Sequence, residues 1–311
     1  MSIDLPVTAG VDEPRDTWFA RHRSDLEELL LRHGAVLVTG GAVTRPEEVA
    51  AVRAALDWPV AACRDRIAPR TEPAPGVYSW PEWGADRDMC WHHEQSQGAT
   101  FPARLVLARL AAPARGGAVL LSDTREVLRR LPDRLRSRFR EQGWRLHRSF
   151  HPYLGTPWAE TFGTSDVREL EARLAAEQVE ASWDGGVLRT RQHRRAVVAH
   201  PVTGDECWFN DVAFFSQWSV APVERNVMLD ALGPDALPAN TYFGDGSPLD
   251  EREYDALTDA HSAAGLRLEF RPGDVLLIDN VLTAHGRESY AGDWDIAVAP
   301  AHPTAATPVS S

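Results

Sequence analysis

The sequence predicts a strand-rich chain with helices packed outside it, closed into one domain over residues 1–311. Three observations carry that reading. Short apolar runs bounded by Gly, Pro, Asn and Asp recur in both halves, among them Ala35-Val-Leu-Val-Thr39, Arg104 to Leu110, Val187 to Arg191 and Asp274 to Asp279. Helical spacing is confined to the stretches before, between and after those runs. The residues with metal-binding chemistry, His92 and Glu94 on one side and His285 on the other, sit in strand contexts at opposite ends of the strand regions. A single closed domain brings such ends together.

Taken in order, Trp18 to Arg32 has Phe19, Leu26, Leu29 and Leu30 at helical spacing and ends at Gly34, a C-cap, before the strand at residues 35–39. Pro46 to Leu56 reads as a helix with Thr44 as N-cap and Pro46 in its first turn. Residues 65–90, rich in Pro, Gly and Trp, read as a loop leading to the metal strand. After the strand at 104–110, Arg115-Gly-Gly turns the chain into Ala118 to Leu121. The segment 124–180 reads as an outer helical insertion, with Thr124 to Gln142 split at Pro132 and a further helix from Asp166 to Glu177. Strands return at 187–191, 196–199 and 207–210, with Thr203-Gly-Asp205 as a turn. Helices are expected at Pro222 to Leu232 and Asp250 to Ala264, and a flexible tail at 304–311.

Composition narrows the function. Hydrophobic content of 43% and charged content of 25% are ordinary for a soluble globular protein. The formal charge of −12 argues against a nucleic-acid groove, which needs clustered basic surface. Apart from histidine, every basic residue is arginine, which suits carboxylate recognition. Cys63, Cys90 and Cys207 are widely spaced and point to neither a disulfide framework nor a zinc ribbon. No stretch has signal-peptide character or membrane-spanning length, so a cytoplasmic protein with no membrane partner is expected.

His92-His93-Glu94 and His285 supply two imidazoles and a carboxylate, the donor set of a mononuclear non-heme Fe(II) site with positions left for O₂ and an organic ligand. Alternation along a strand lets His92 and Glu94 share a face while His93 points away.

Around these residues lie Pro113-Ala-Arg-Gly-Gly117, Asp123-Thr-Arg125, Leu188-Arg-Thr-Arg191, His200-Pro-Val-Thr-Gly204, Trp208-Phe-Asn210, Asn240 to Gly246 and Asp279-Asn to His285-Gly-Arg287. In this order, from about residue 16 to residue 299, they resemble the taurine dioxygenase/clavaminate synthase family of Fe(II)/2-oxoglutarate oxygenases, in its syringomycin-type natural-product branch. The resemblance implies a double-stranded β-helix (jelly-roll) core, His92, Glu94 and His285 as iron ligands, and O₂ as co-reactant. A carboxylate at position 94 argues against the halogenating variant, which leaves that position open.

Two positions depart from the pattern. The family holds the far carboxylate of 2-oxoglutarate with a Thr after the Gly-Gly turn and an Arg past the distal His. Here Val119 stands at the first place and Asp295 at the second, and no Arg or Lys follows Arg287. An Asp facing a dicarboxylate repels it. Three readings follow. Arg287 or Arg109 takes over 2-oxoglutarate binding in a conventional hydroxylase. Alternatively 2-oxoglutarate is dropped, the substrate chelates iron, and Asp295 pairs with a substrate ammonium. The third is a catalytically inactive metal-binding paralogue. The intact triad argues against the last, and the second is favoured over the first.

Weaker pocket candidates are Asn210, Trp91, Arg189, Arg191 and Trp294; Asn210 serves equally well as a turn-closing side chain, and strand arginines pair readily with local carboxylates. His200, before Pro201, reads as structural. His22, His33, His147, His151, His193, His261 and His302 show no ligand spacing. The sequence therefore predicts an iron-dependent oxygenase or oxidase acting on a small amino acid or amino-acid-derived intermediate, free or tethered to a carrier protein. The competing class is a metal-retaining binding protein without catalysis.

Overall fold

Period-two alternation builds the centre of the molecule. The computed structural model describes residues 7–8 and 14–308. Its largest sheet has six strands in the order Val7–Thr8, Ala35–Val43, Gly273–Asp279, Thr100–Ala111, Asp295–Ala305 and Tyr78–Ser79. Leu105, Leu107, Leu276, Ile278, Ile296 and Val298 point from one face into a core shared with Met89, Val119 and Leu121. Their neighbours Val106, Ala108, Val275, Leu277, Ala297 and Ala299 point the other way, against helical residues Phe19, Leu26, Leu30, Val49 and Val52. Such strands are buried on both faces, which is why they read as continuous apolar runs.

The facing sheet has four strands, Gly265–Leu268, Val119–Asp123, Thr283–Arg287 and Met89–His92. Both sheets join strands from the two ends of the chain, and together they form the jelly-roll core. Helix and strand contents are nearly equal, 32% and 34%, because helices Arg15–Arg21, Arg23–His33 and Pro46–Ala55 cover the outer face of the large sheet and Glu251–Ala263 flanks the small one.

Several local expectations need adjustment. The first helix breaks at His22 into Arg15–Arg21 and Arg23–His33, then ends as expected at Gly34 (φ 79°), whose N–H bonds to the Leu30 carbonyl. Thr44 does not cap the next helix. The N-cap is Arg45, and the Glu48 carboxylate accepts from the backbone N–H groups of both Thr44 and Arg45. The segment 124–180 is helical at Thr124–Arg130, Asp133–Gln142 and Val167–Ala176, but it also contains the strand Trp144–Phe150. That strand joins Ala239–Phe243, Val187–Arg194 and Glu180–Asp184 in a third sheet. Its alternation of Trp144, Leu146 and Phe150 with Arg145 and His147 is masked by the arginines. In the expected tail, Thr304 and Ala305 still pair with Phe101 and Thr100; residues 309–311 lie outside the described part.

Two predictions follow from this packing. Leu107→Ala, in the shared core, lowers unfolding free energy by about 2–5 kcal/mol in guanidinium titrations, while exposed Val202→Ala stays within about 0.5 kcal/mol of the parent. His261 is buried, stacks on Trp91 at 5.6 Å and meets Ser122 Oγ at 3.2 Å; burial pushes its pKa down from the usual 6.5 to about 3. Between those values the unfolded chain binds the proton and the folded one does not, so stability falls as pH drops through that window. His261→Gln flattens the slope of stability against pH between 6.5 and 3, measured by denaturant titration at each pH.

Candidate metal centre

Sheet register assembles the site. In the antiparallel pairing of Met89–His92 with Thr283–Arg287, His285 lies directly opposite His92, with ring centroids 4.4 Å apart. A Cβ at Gly286 would meet the Met89 carbonyl at 2.5 Å, so the close approach of the two strands requires glycine in His-Gly-Arg. Glu94 lies past the strand's end, in a turn, so its place comes from tethering rather than pleat alternation alone. Its N–H donates to Asn280 Oδ1 (3.0 Å), and Asn280 Nδ2 donates back to the Glu94 carbonyl (2.9 Å) and to that of Pro102 (2.8 Å). His93 turns away, toward the Asn210 carbonyl and Asp211.

One ligand atom from each of His92, Glu94 and His285 lies within 4.8 Å of the others, and all three residues are buried. His92 Nδ1 donates to the Cys90 carbonyl at 2.9 Å, which leaves the lone pair on Nε2, a buried atom with no protein partner. Burial and the neighbouring His285 hold His92 well below its usual pKa, hence neutral and ready to ligate. Burial alone would raise the Glu94 carboxyl, but Arg70, with Nη2 2.6 Å from Oε1, and the two imidazoles bring it below the usual carboxylate range. The imidazoles of His92 and His285 with an ionised Glu94 carboxylate are a donor set that fits a divalent first-row ion.

The other expected residues are distributed unevenly. Val119 is fully buried in the core and paired in register with Arg287. Arg287 donates to the carbonyls of Gly84, Arg87 and Glu288 and lies over the Tyr290 and Trp294 rings. Arg109 donates to the Gly117 carbonyl and stacks on Phe270. Asp295 is exposed, at a bulge beside Ala111, and its carboxylate makes no hydrogen bond or ion pair among the described residues; burial of part of its surface raises its pKa. It borders a cavity of about 540 Å³ with Trp80, Trp83, Arg287, Tyr290 and Trp294. Trp294 donates to the Gly117 carbonyl.

Away from the triad, Trp91 stacks on His261, Arg189 pairs with Asp184, and Arg191 is exposed opposite Glu180. Asn210 closes a turn, bonding the Ala196 carbonyl and the Val212 N–H. His200 Nε2 binds Asp279 at 3.0 Å.

Sequence reasoning missed three neighbours of the triad. Trp80 lies 5.6 Å from His285 and 6.4 Å from His92, Phe214 lies 5.0 Å from His92, and Arg70 holds Glu94. Arg70 and Trp80 belong to the aperiodic loop and Phe214 to the four-residue helix Val212–Phe215, so no spacing marked them. Phe214 and Trp83 also wall a second cavity of about 350 Å³, in which Arg66, Arg87, Arg148 and Arg225 meet Ile67, Phe150 and Met228. Among the described residues no helix is long and apolar enough to cross a membrane.

Comparison with known proteins places this geometry in a family. Residues 5–296 match the family model for taurine catabolism dioxygenase TauD, TfdA family. The dapdiamide synthesis protein DdaC of Enterobacter agglomerans is 28% identical over 307 residues, covering 97% of this chain and 93% of that protein. A clavaminate synthase-like protein of Arabidopsis thaliana is 28% identical over 278 residues, covering 85% and 80%. Among solved structures, a putative alpha-ketoglutarate-dependent taurine dioxygenase from Burkholderia xenovorans superposes with TM-score 0.53 at 17% identity, covering 100% of this chain and 97% of that one. The PvcB protein of Pseudomonas aeruginosa also reaches 0.53, at 14% identity and 90% and 80% coverage. With nearly its whole length matched by the family model and a buried His-Glu-His group at its centre, the chain belongs to the TauD/TfdA family of non-heme iron dioxygenases.

Proposed function

We propose that this protein holds Fe(II) with His92, Glu94 and His285 and oxidises an amino acid or amino-acid-derived intermediate of natural-product biosynthesis, without 2-oxoglutarate in the family's usual pose. The observation that carries the reading is the convergence of the three buried ligand atoms within 4.8 Å. Bound iron supplies the one-electron chemistry that couples O₂ reduction to oxidation of a substrate C–H bond. The protein's own groups do the rest. The Cys90 carbonyl fixes the His92 tautomer, while Asn280 and Arg70 orient Glu94. Trp80 and Phe214 pack against the imidazoles and keep water from them.

The substrate class rests on two cavities that have Trp83 as a common wall. In the arginine-bearing cavity Arg87 and Arg148 are paired with Glu224 and Asp65, and Arg66 and Arg225 are left to favour a chain with carbonyl or carboxylate oxygens on an apolar body. The other offers the unpartnered Asp295 carboxylate, which favours an ammonium group, while Arg287 already lies over the Tyr290 and Trp294 faces. A relative whose role is dapdiamide synthesis, and another described as clavaminate synthase-like, support a biosynthetic substrate, free or carrier-tethered.

The 2-oxoglutarate clamp of the family does not fit here. Val119, Ile296 and Val298 make the adjoining interior apolar, and Asp295 adds a negative charge at its edge. A charge-assisted hydrogen bond contributes about 1.5–3 kcal/mol, so loss of the Arg alone weakens binding roughly tenfold or more.

Two experiments test this reading. His92→Ala lowers Fe(II) affinity by more than about 100-fold in anaerobic calorimetry, beyond the loss typical of an outer-shell change; unchanged affinity sinks the ligand assignment. Titrating 2-oxoglutarate into the anaerobic Fe(II) protein gives no strong charge-transfer band at micromolar concentration. A strong band, with succinate formed in step with product, would instead establish a conventional 2-oxoglutarate enzyme with a relocated clamp.

A further inference from the structure

Among the described residues two aromatic rings pack against the imidazoles of the candidate metal centre, and they differ in chemistry. Phe214 lies 5.0 Å from His92, and a phenyl ring is too hard to oxidise to pass an electron on. Trp80, an easily oxidised indole, lies 5.6 Å from His285 and 6.4 Å from His92. Trp80 meets Trp294 at 5.5 Å, and Trp294 stacks on Tyr290 at 5.3 Å. Trp80 is buried, Trp294 and Tyr290 are half-buried, and all three line the cavity of about 540 Å³. A continuous run of oxidisable rings in edge or face contact therefore leads outward from His285.

The partners of these rings give the run a direction. The Trp80 indole N–H donates to Met89 Sδ at 3.3 Å, and that of Trp294 to the Gly117 carbonyl at 2.9 Å. Neither acceptor is basic enough to take the proton. An indole here that loses an electron keeps a positive charge and passes the vacancy on. The guanidiniums of Arg287 and Arg109, 5.3 and 5.8 Å from the Trp294 ring, disfavour a positive charge resting there. Tyr290, with Arg287 4.7 Å from its ring, escapes that repulsion by releasing its phenolic proton at the cavity wall and becoming a neutral radical. The same two cations set a threshold, so only a strong oxidant drives a vacancy past Trp294.

We propose that Trp80, Trp294 and Tyr290 form a protective electron relay. It drains a one-electron oxidising equivalent from the metal centre when O₂ has reacted there without substrate. That equivalent gains one electron, and Trp80 and Trp294 each lose and regain one. Tyr290 gives up one electron and, to water, its phenolic proton. A reductant of the ascorbate class in solution then returns an electron and a proton to Tyr290. The relay spares His92 and His285, whose oxidation would destroy the site. The inference rests on the metal reading above.

The test uses the full chain, loaded anaerobically with Fe(II) and mixed with one equivalent of peracetic acid in the absence of substrate. Freeze-quench electron paramagnetic resonance reads the radical, and peptide mass spectrometry reads stable oxidation. The parent is expected to give a tyrosyl signal that narrows when the protein carries ring-deuterated tyrosine and disappears with ascorbate. Tyr290→Phe keeps the ring, so its Fe(II) affinity stays near that of the parent, yet the tyrosyl signal is lost. Trp80→Phe also loses the signal and shifts oxidation onto His92 and His285. Trp183→Phe, in a separate pair with Trp158, behaves as the parent does. A tyrosyl signal that persists in Tyr290→Phe or in Trp80→Phe overturns the relay, as does the same signal from metal-free protein treated with peracid. Fe(II) binding by the parent with no tyrosyl signal overturns the relay alone and leaves the metal site intact. Failure of the parent to bind Fe(II) overturns the metal reading and the proposal with it.

Discussion

The pairing of Met89–His92 with Thr283–Arg287 is the constraint on which the site depends. These short strands come from distant parts of the chain, and closing so large a loop costs entropy before any contact returns it. The return comes from the core between the sheets, where Met89, Val119 and Leu121 meet Leu107, Leu276 and Ile296. Gly286 permits the strands to approach, and the register then sets His285 opposite His92. Asp279 locks the turn before this strand: it accepts from the N–H groups of Val281 and Leu282 and from Arg104 and His200. Asn280 reaches from the same turn to residue 94. Fold closure and ligand placement are thus the same event.

Part of this was legible beforehand. His92, Glu94 and His285 were readable because residue type, close spacing and strand context coincide at those positions, and the large sheet was readable because strands such as 104–110 and 274–279 are apolar on both faces. The strand at Trp144–Phe150 was hidden because Arg145, His147 and Arg148 interrupt its apolar count, although burial alternates from Trp144 to His147, and Arg148, Ser149 and Phe150 are all buried. Arg70 and Trp80 were invisible for a different reason. They sit in a loop whose course is set by tertiary bonds such as Glu82 N–H to the Pro69 carbonyl and Trp80 N–H to the Ile296 carbonyl, and no local pattern encodes those.

That loop runs from the arginine-bearing cavity to the candidate metal centre. Asp65 forms a two-bond ion pair, at 2.7 and 2.8 Å, with Arg148, which lines the arginine-bearing cavity. Arg66 and Ile67 line the same cavity, and an Arg66 guanidinium N–H reaches the Arg70 carbonyl. Five residues after Asp65, Arg70 meets Glu94. The chain also returns from the site to this region, since Gln95 bonds the Arg64 N–H and the Ala62 carbonyl, and Gln97 bonds the Asp65 carbonyl.

Removing one member of a buried ion pair leaves an uncompensated charge, at a cost of about 3–5 kcal/mol. The Asp65–Arg148 pair therefore fixes where the 65–70 segment begins, and the Arg70–Glu94 pair fixes where it ends. Because both ends are held by buried charge rather than by exposed contacts, the positions of Asp65 and Glu94 are tied to each other through six residues of chain.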